Sequence, residues 1–114
     1  MLNQIVLVGR LVSDPEIKET ESGKKVSNIT LAVNRSFKNE EGIYETDFID
    51  CILWNGIATN TSEYCKKGDL VGVKGRVQST IVSDDSKSID KSKKNELQIV
   101  AEKVTFLSSG NDKK

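Results

Sequence analysis

Residues 44–54 read YETDFIDCILW, and their alternation decides the fold. In an extended chain, successive side chains point to opposite faces. Ile49, Cys51 and Leu53 then share one face, and Phe48, Asp50, Ile52 and Trp54 share the other. The first set is apolar and reads as core. The second puts two aromatic rings on a single surface.

The same period continues upstream. In residues 25–37, KVSNITLAVNRSF, Ile29, Leu31 and Val33 fall on one face, and Asn28, Thr30 and Asn34 on the other. This is a half-buried strand, joined to the next by a hairpin loop, KNEEGI at 38–43. Residues 2–12, LNQIVLVGRLV, form an earlier strand rich in Val, Leu and Ile. Gly9 in its middle predicts a bulge or tight bend. Asp14-Pro15 ends that strand, and ETESGK at 19–24 is a polar turn with Gly23 at its tip.

Downstream the character changes. In residues 55–67, NGIATNTSEYCKK, Ile57, Ala58, Tyr64 and Cys65 recur at helical spacing, and Lys66-Lys67-Gly68 makes a C-terminal stop. Residues 69–80 return to alternation, with Val71, Val73 and Val77 on one face and Lys74, Arg76 and Gln78 on the other. Residues 83–96, SDDSKSIDKSKKNE, are polar and aperiodic and read as a long mobile hairpin loop. Residues 97–107, LQIVAEKVTFL, make a fifth strand.

The order is β-β-β-α-β-β. It predicts an all-β domain: a five-stranded Greek-key barrel of the OB-fold type, with one short helix between strands 3 and 4. A five-stranded α+β sandwich fits the same pattern. The domain is expected over residues 1–108, with 109–114 a short disordered tail.

The chain has 114 residues, enough for one compact domain. Apolar residues make up 36%, a modest share that makes self-association a further source of burial. Lys plus Arg and Asp plus Glu are 17 each, so any anion-binding surface must come from local clustering. There is no histidine, which removes the commonest general base and metal ligand. Two cysteines, Cys51 and Cys65, form no CxxC pair. A structural zinc site, needing about four ligands, is not expected. Buried reduced thiols fit a cytoplasmic protein, and no cofactor is implied. Met1-Leu2-Asn3-Gln4 does not begin a signal peptide, and no apolar run approaches a membrane span.

Unpaired nucleic acid offers flat bases and charged phosphates. Rings stack on the former and cations neutralise the latter. Phe37, Phe48 and Trp54 are the candidate rings, and Arg10, Arg35, Lys38, Lys74 and Arg76 the candidate cations. Phe48 and Trp54 lie opposite one core row, and Lys74 and Arg76 opposite another. In a barrel such faces form one outer surface. Taken singly, a strand aromatic is more often core and an exposed Lys more often plain surface. Phe106 and Tyr64 are assigned to the core. The shared phase of two rings and two cations favours binding.

The ordered segments MLNQIVLVGRL with DPE at 14–16, SGKKVSNITLAVNRSF at 22–37, TDFIDCILW at 46–54, EYCKKGDLVGVKGRVQS at 63–79 and VTFL at 104–107 resemble the bacterial single-stranded DNA-binding protein family. The likeness is strongest to its low-GC Gram-positive branch and related phage or mobile-element forms. The resemblance implies an OB-fold, usually a homotetramer (a dimer is the smaller alternative), and a nucleoid-associated place in the cytoplasm. It implies sequence-tolerant binding of single-stranded DNA in replication, recombination and repair. It matches Phe37, Phe48 and Trp54 to stacking aromatics and places Arg35, Lys74 and Arg76 at basic or polar contacts. It makes the strand at 3–12 the segment through which subunits pair, which also covers a strand edge.

Three departures stand out. Thr80-Ile81-Val82 occupies a place where the family usually carries another aromatic. Asp50 stands where Asn or a basic residue is common. The family's acidic tip with a terminal Pro-Phe has no counterpart in SSGNDKK at 108–114, so tail-mediated recruitment is not expected of these residues.

Two other functions fit parts of the sequence. One is a dimeric assembly factor that binds DNA weakly and a replication protein strongly. The other is a nuclease, which needs clustered carboxylates and metal, or a His base. The acids here, such as Glu40-Glu41 and Asp84-Asp85, are scattered over loops. No catalytic residue is expected.

Overall fold

The computed structural model describes residues 1–82 and 94–110. Its elements are β1 (Ile5–Leu11), β2 (Lys18–Glu19), β3 (Lys25–Lys38), β4 (Tyr44–Trp54), α1 (Asn55–Tyr64), β5 (Leu70–Val82) and β6 (Lys94–Ser108). The sheet runs β1-β5-β6-β4-β3-β2, and pairing of β1 with β3 closes it into a barrel. Every neighbouring pair is antiparallel except β4 with β6, which run parallel at Cys51↔Ile99 and Ile52↔Val100. This is the five-stranded Greek-key barrel expected, with the helix between β4 and β5 because β2 adds one strand to the count.

The core is the inward row of each strand. Leu31, Leu53 and Val71 are fully buried, and Leu11, Ile29, Cys51, Val73 and Ala101 join them. The short helix closes the end of the barrel with Ala58 and Thr61. Asp69, buried beyond the helix, accepts hydrogen bonds from the Lys66 and Gly110 backbone N–H groups at 2.8 and 3.0 Å. Those bonds satisfy its carboxylate away from water.

Several boundaries differ from the pattern reading. β2 lies in the stretch read as a turn, because Lys18 and Glu19 pair with Val26 and Lys25 around Gly23, whose φ is 90°. The first strand starts at Ile5, but the Asn3 side chain continues the ladder: its Nδ2 donates to Val77 O and its Oδ1 accepts from Val77 N. The helix ends at Tyr64, three residues early, because Lys66–Gly68 turn back towards β1, where Gly68 N donates to Leu11 O. Residues 94–96, read as loop, are strand, since the β5–β6 ladder continues through Thr80↔Glu96 to Val82↔Lys94. Backbone pairing there runs past the apolar alternation that marks strands in sequence. The rest of the proposed loop, 83–93, lies outside the described residues, as do 111–114 of the proposed tail.

Gly9 marks no bulge. β1 pairs with β5 from Ile5↔Gly75 to Arg10↔Leu70 without a register shift. The glycine is needed because a Cβ there would lie 2.6 Å from Ala32 O, where β1 crosses to β3.

Tyr64 and Phe106 are not core. They are 71% and 47% exposed. The inward face of the helix is the stripe Ala58, Thr61 and Cys65, spaced three and four residues apart, and Tyr64 falls off that stripe towards solvent. Phe106 lies beside Tyr64 and Val104 around a shallow depression.

Candidate nucleic-acid interface

The outer row of β4 carries the rings. Residues 44, 46, 48, 50, 52 and 54 share that face, and three side-chain contacts to β3 confirm it. Thr46 Oγ1 donates to Asn34 Oδ1 at 2.8 Å, Thr30 Oγ1 donates to Asp50 Oδ1 at 2.6 Å, and Lys38 Nζ lies 5.6 Å from the centre of the Tyr44 ring. Phe48 is 68% exposed, while Trp54 is half-buried at the start of the helix. Phe37 is 66% exposed on the outer stretch of β3, where the register shifts between Asn34 and Lys38.

Tyr44 belongs to the same row and is 56% exposed. Sequence reasoning passed over it, although the period-2 phase that links Phe48 to Trp54 extends back to it.

The cations are distributed unevenly. Arg10 pairs across with Ala32, which pairs with Phe48, so all three share the outer face. Arg10 lies two strand spacings from Phe48, about 10 Å, and its guanidinium donates to Gly68 O at 3.0 Å. Lys74 and Arg76 lie on β5, separated from β4 by β6. Lys74 is exposed, whereas Arg76 is ion-paired with Glu102 at 3.1 Å and also bonds Gln78. Arg35 pairs with Glu45 at 2.8 Å and Asp47 at 2.9 Å. Those partners occupy odd positions of β4, so Arg35 lies on the face opposite the rings. Its hydrogen bond holds the Asp47 carboxyl below the usual carboxylate range, and the same bond raises the Arg35 guanidinium.

Beside Asp50 and Ile52 of this row lies a shallow groove of about 270 Å³, lined also by Asn28, Thr80, Glu96 and Gln98. It carries two carboxylates and no cation. Among the described residues, no group of His, Cys, Asp or Glu is arranged to hold a metal ion. Cys51 and Cys65 are free and buried. Burial, with the nearby Asp50 charge, pushes the Cys51 thiol up to about 11, so it stays protonated and unreactive at neutral pH. Burial raises Cys65 as well.

The model of the Single-strand binding protein family matches residues 2–107. This chain belongs to the single-strand binding protein family. Single-stranded DNA-binding protein B of Bacillus subtilis is 55% identical over 78 residues, 68% of this chain and 69% of the relative. Single-stranded DNA-binding protein 3 of Listeria innocua is 47% identical over 110 residues, covering 96% and 66%. The single-stranded DNA-binding protein of Halalkalibacterium halodurans is 46% identical over 110 residues, covering 94% and 61%. The chain thus spans roughly two thirds of the length of these family members. No described helix is long and apolar enough to cross a membrane.

Family membership sharpens the question of Asp50, an acid on the ring-bearing row. Asp50→Asn keeps an oxygen to accept the Thr30 hydroxyl and removes a charge that would repel phosphate. Affinity for oligo-dT should rise by up to about fivefold at low salt, with the gain fading as salt screens it. Equal or weaker binding in a fluorescence titration would put Asp50 off the DNA path.

Proposed function

We propose that this protein binds single-stranded DNA without sequence preference and coats it during replication, recombination and repair, with no catalytic step. The exposed aromatic row of β4 carries this reading: rings with no partner in the core stand on an outer barrel face, in a chain of the single-strand binding family. Phe37, Phe48 and Trp54 stack bases. Arg10, Lys38 and Lys74 neutralise phosphates, Arg76 joins them by exchanging its carboxylate partner, and Arg35, facing away from the rings, holds the β3–β4 hairpin instead. The working unit is the domain at 1–108, placed in the cytoplasm with the nucleoid.

Titration with oligo-dT across a range of salt tests this. Kd should be on the order of nanomolar at low salt, and log K should fall with log salt by about 0.7 per phosphate neutralised. Binding only at micromolar concentrations, by a dimer, would favour an assembly factor. Magnesium-dependent loss of the oligonucleotide would favour a nuclease.

Self-association, with a homotetramer as the leading form, belongs to the same reading. On β1 the outer residues Val6 and Val8 are 63% and 50% exposed, and Leu107 beside Gly72 is 47% exposed. Such clustered apolar side chains favour a partner surface. Val6→Glu with Val8→Glu should shift the mass in analytical ultracentrifugation to a smaller species while leaving the circular dichroism of the barrel intact. An unchanged mass would remove β1 from the interface.

A further inference from the structure

We propose that Tyr44, capped by Lys38, is an additional base-stacking platform that carries the DNA path off the barrel and onto the β3–β4 arm. The inference rests on the single-stranded DNA reading above and adds a subsite to it.

The arm is the outer part of the β3–β4 hairpin, beyond Asn34↔Thr46. Its two faces do different work. The odd face is a polar clamp: Arg35 bridges Glu45 and Asp47, and Asn39 Nδ2 donates to Glu45 Oε2 at 3.0 Å. Asn39 Oδ1 also accepts from the N–H groups of Glu41 and Ile43, fixing the hairpin tip around Gly42, whose φ is 79°. This network ties the two strands together across the register shift, where no core supports them.

The even face is left for Tyr44 and Lys38, which pair directly across the strands. An exposed tyrosine with one face under an ammonium retains a second face for a base. An ammonium 5.6 Å from the ring centre is attracted to it and keeps N–H donors for a phosphate. Stacking and charge neutralisation are thus available at one point.

Position supports the same reading. Tyr44 stands four residues from Phe48 on the same row, about 13 Å along the strand, and Trp54 lies six residues the other way, about 20 Å. The three rings define one line. A strand following Trp54 and Phe48 meets Tyr44 next. The ring extends the track at its far end.

The test is a ladder of oligo-dT lengths titrated against wild type, Tyr44→Ala, Tyr44→Phe, Lys38→Gln and Phe48→Ala at fixed salt. The shortest oligonucleotides that bind should not distinguish Tyr44→Ala from wild type. Longer ones should bind Tyr44→Ala roughly 5- to 150-fold more weakly, the range expected of one stacked base, while Tyr44→Phe binds as wild type. Lys38→Gln should lower the salt slope by about 0.7, and Tyr44→Ala should leave the slope unchanged. Photocrosslinking with 5-iododeoxyuridine oligonucleotides should map to Tyr44. If Tyr44→Ala matches wild type at every length while Phe48→Ala weakens binding, the arm subsite is wrong and the parent reading stands. If Phe48→Ala also changes nothing, both fail together. Tyr44 is exposed and outside the core, so its variants keep the fold, and circular dichroism checks that they do.

Discussion

The double variant Phe48→Ala, Trp54→Ala should bind oligo-dT at least about 30-fold more weakly than wild type at fixed salt. Stacking is worth about 1–3 kcal/mol per base across single-strand binders, and 1.4 kcal/mol is a factor of ten. The two rings stand six residues apart on β4, about 20 Å, far enough for their losses to add. The cations are untouched, so the slope of log K against log salt should not change. Phe48 is 68% exposed and contributes little to the core. Trp54 is half-buried, so Trp54→Phe serves as the control that keeps a ring. A double variant with wild-type affinity would show that the DNA runs elsewhere on the barrel.

Gly75→Ala should destabilise the domain by about 3 kcal/mol or more, or prevent folding. A Cβ at Gly75 would run into the Val100 carbonyl oxygen, 3.0 Å from its carbon and 3.1 Å from Ala101 Cα. These are backbone atoms of β6, at the register shift between Lys74 and Gly75. They cannot rotate away as a side chain would. Gly56→Ala makes the contrast. Gly56 lies in α1 with nothing within 4 Å of its added Cβ. Alanine there should be neutral or stabilise by up to about 1 kcal/mol, because it lowers the entropy cost of the helix. Thermal melts of the two variants should move in opposite directions, or at least differ sharply. Equal melting temperatures would mean that β5 and β6 are not so closely apposed.

Much of the barrel was legible because alternation is a strong signal where one face is core. The alternation alone marks Ile29, Leu31, Cys51 and Leu53 as a buried row and Phe48 as outward-facing, and the barrel has them so. Elements without that signal were missed. Lys18 and Glu19 form a strand only by pairing with Val26 and Lys25, a contact their own side chains do not advertise. Residues 94–96 are polar, yet their backbone continues the β5–β6 ladder. Tyr64 and Phe106 were misplaced because an aromatic residue at helical or strand spacing looks the same whether or not the barrel has room for it.

The charges were harder to read. Arg35 and Arg76 read as candidate cations in the sequence, but their carboxylate partners, Glu45, Asp47 and Glu102, come from across the sheet. No local pattern reveals such pairs. The zero net charge hinted at them without locating them. Tyr44 is the opposite case, since its phase was visible in YETDFIDCILW but its exposure and its lysine were not.

Trp54 is the sole tryptophan, so its emission reports directly on stacking at one end of the aromatic row. Adding oligo-dT should quench that emission saturably, at the same concentrations at which an independent probe such as fluorescence anisotropy detects binding. DNA that binds by anisotropy while the Trp54 emission stays unchanged would contradict the assignment of this β4 face as the surface where bases rest.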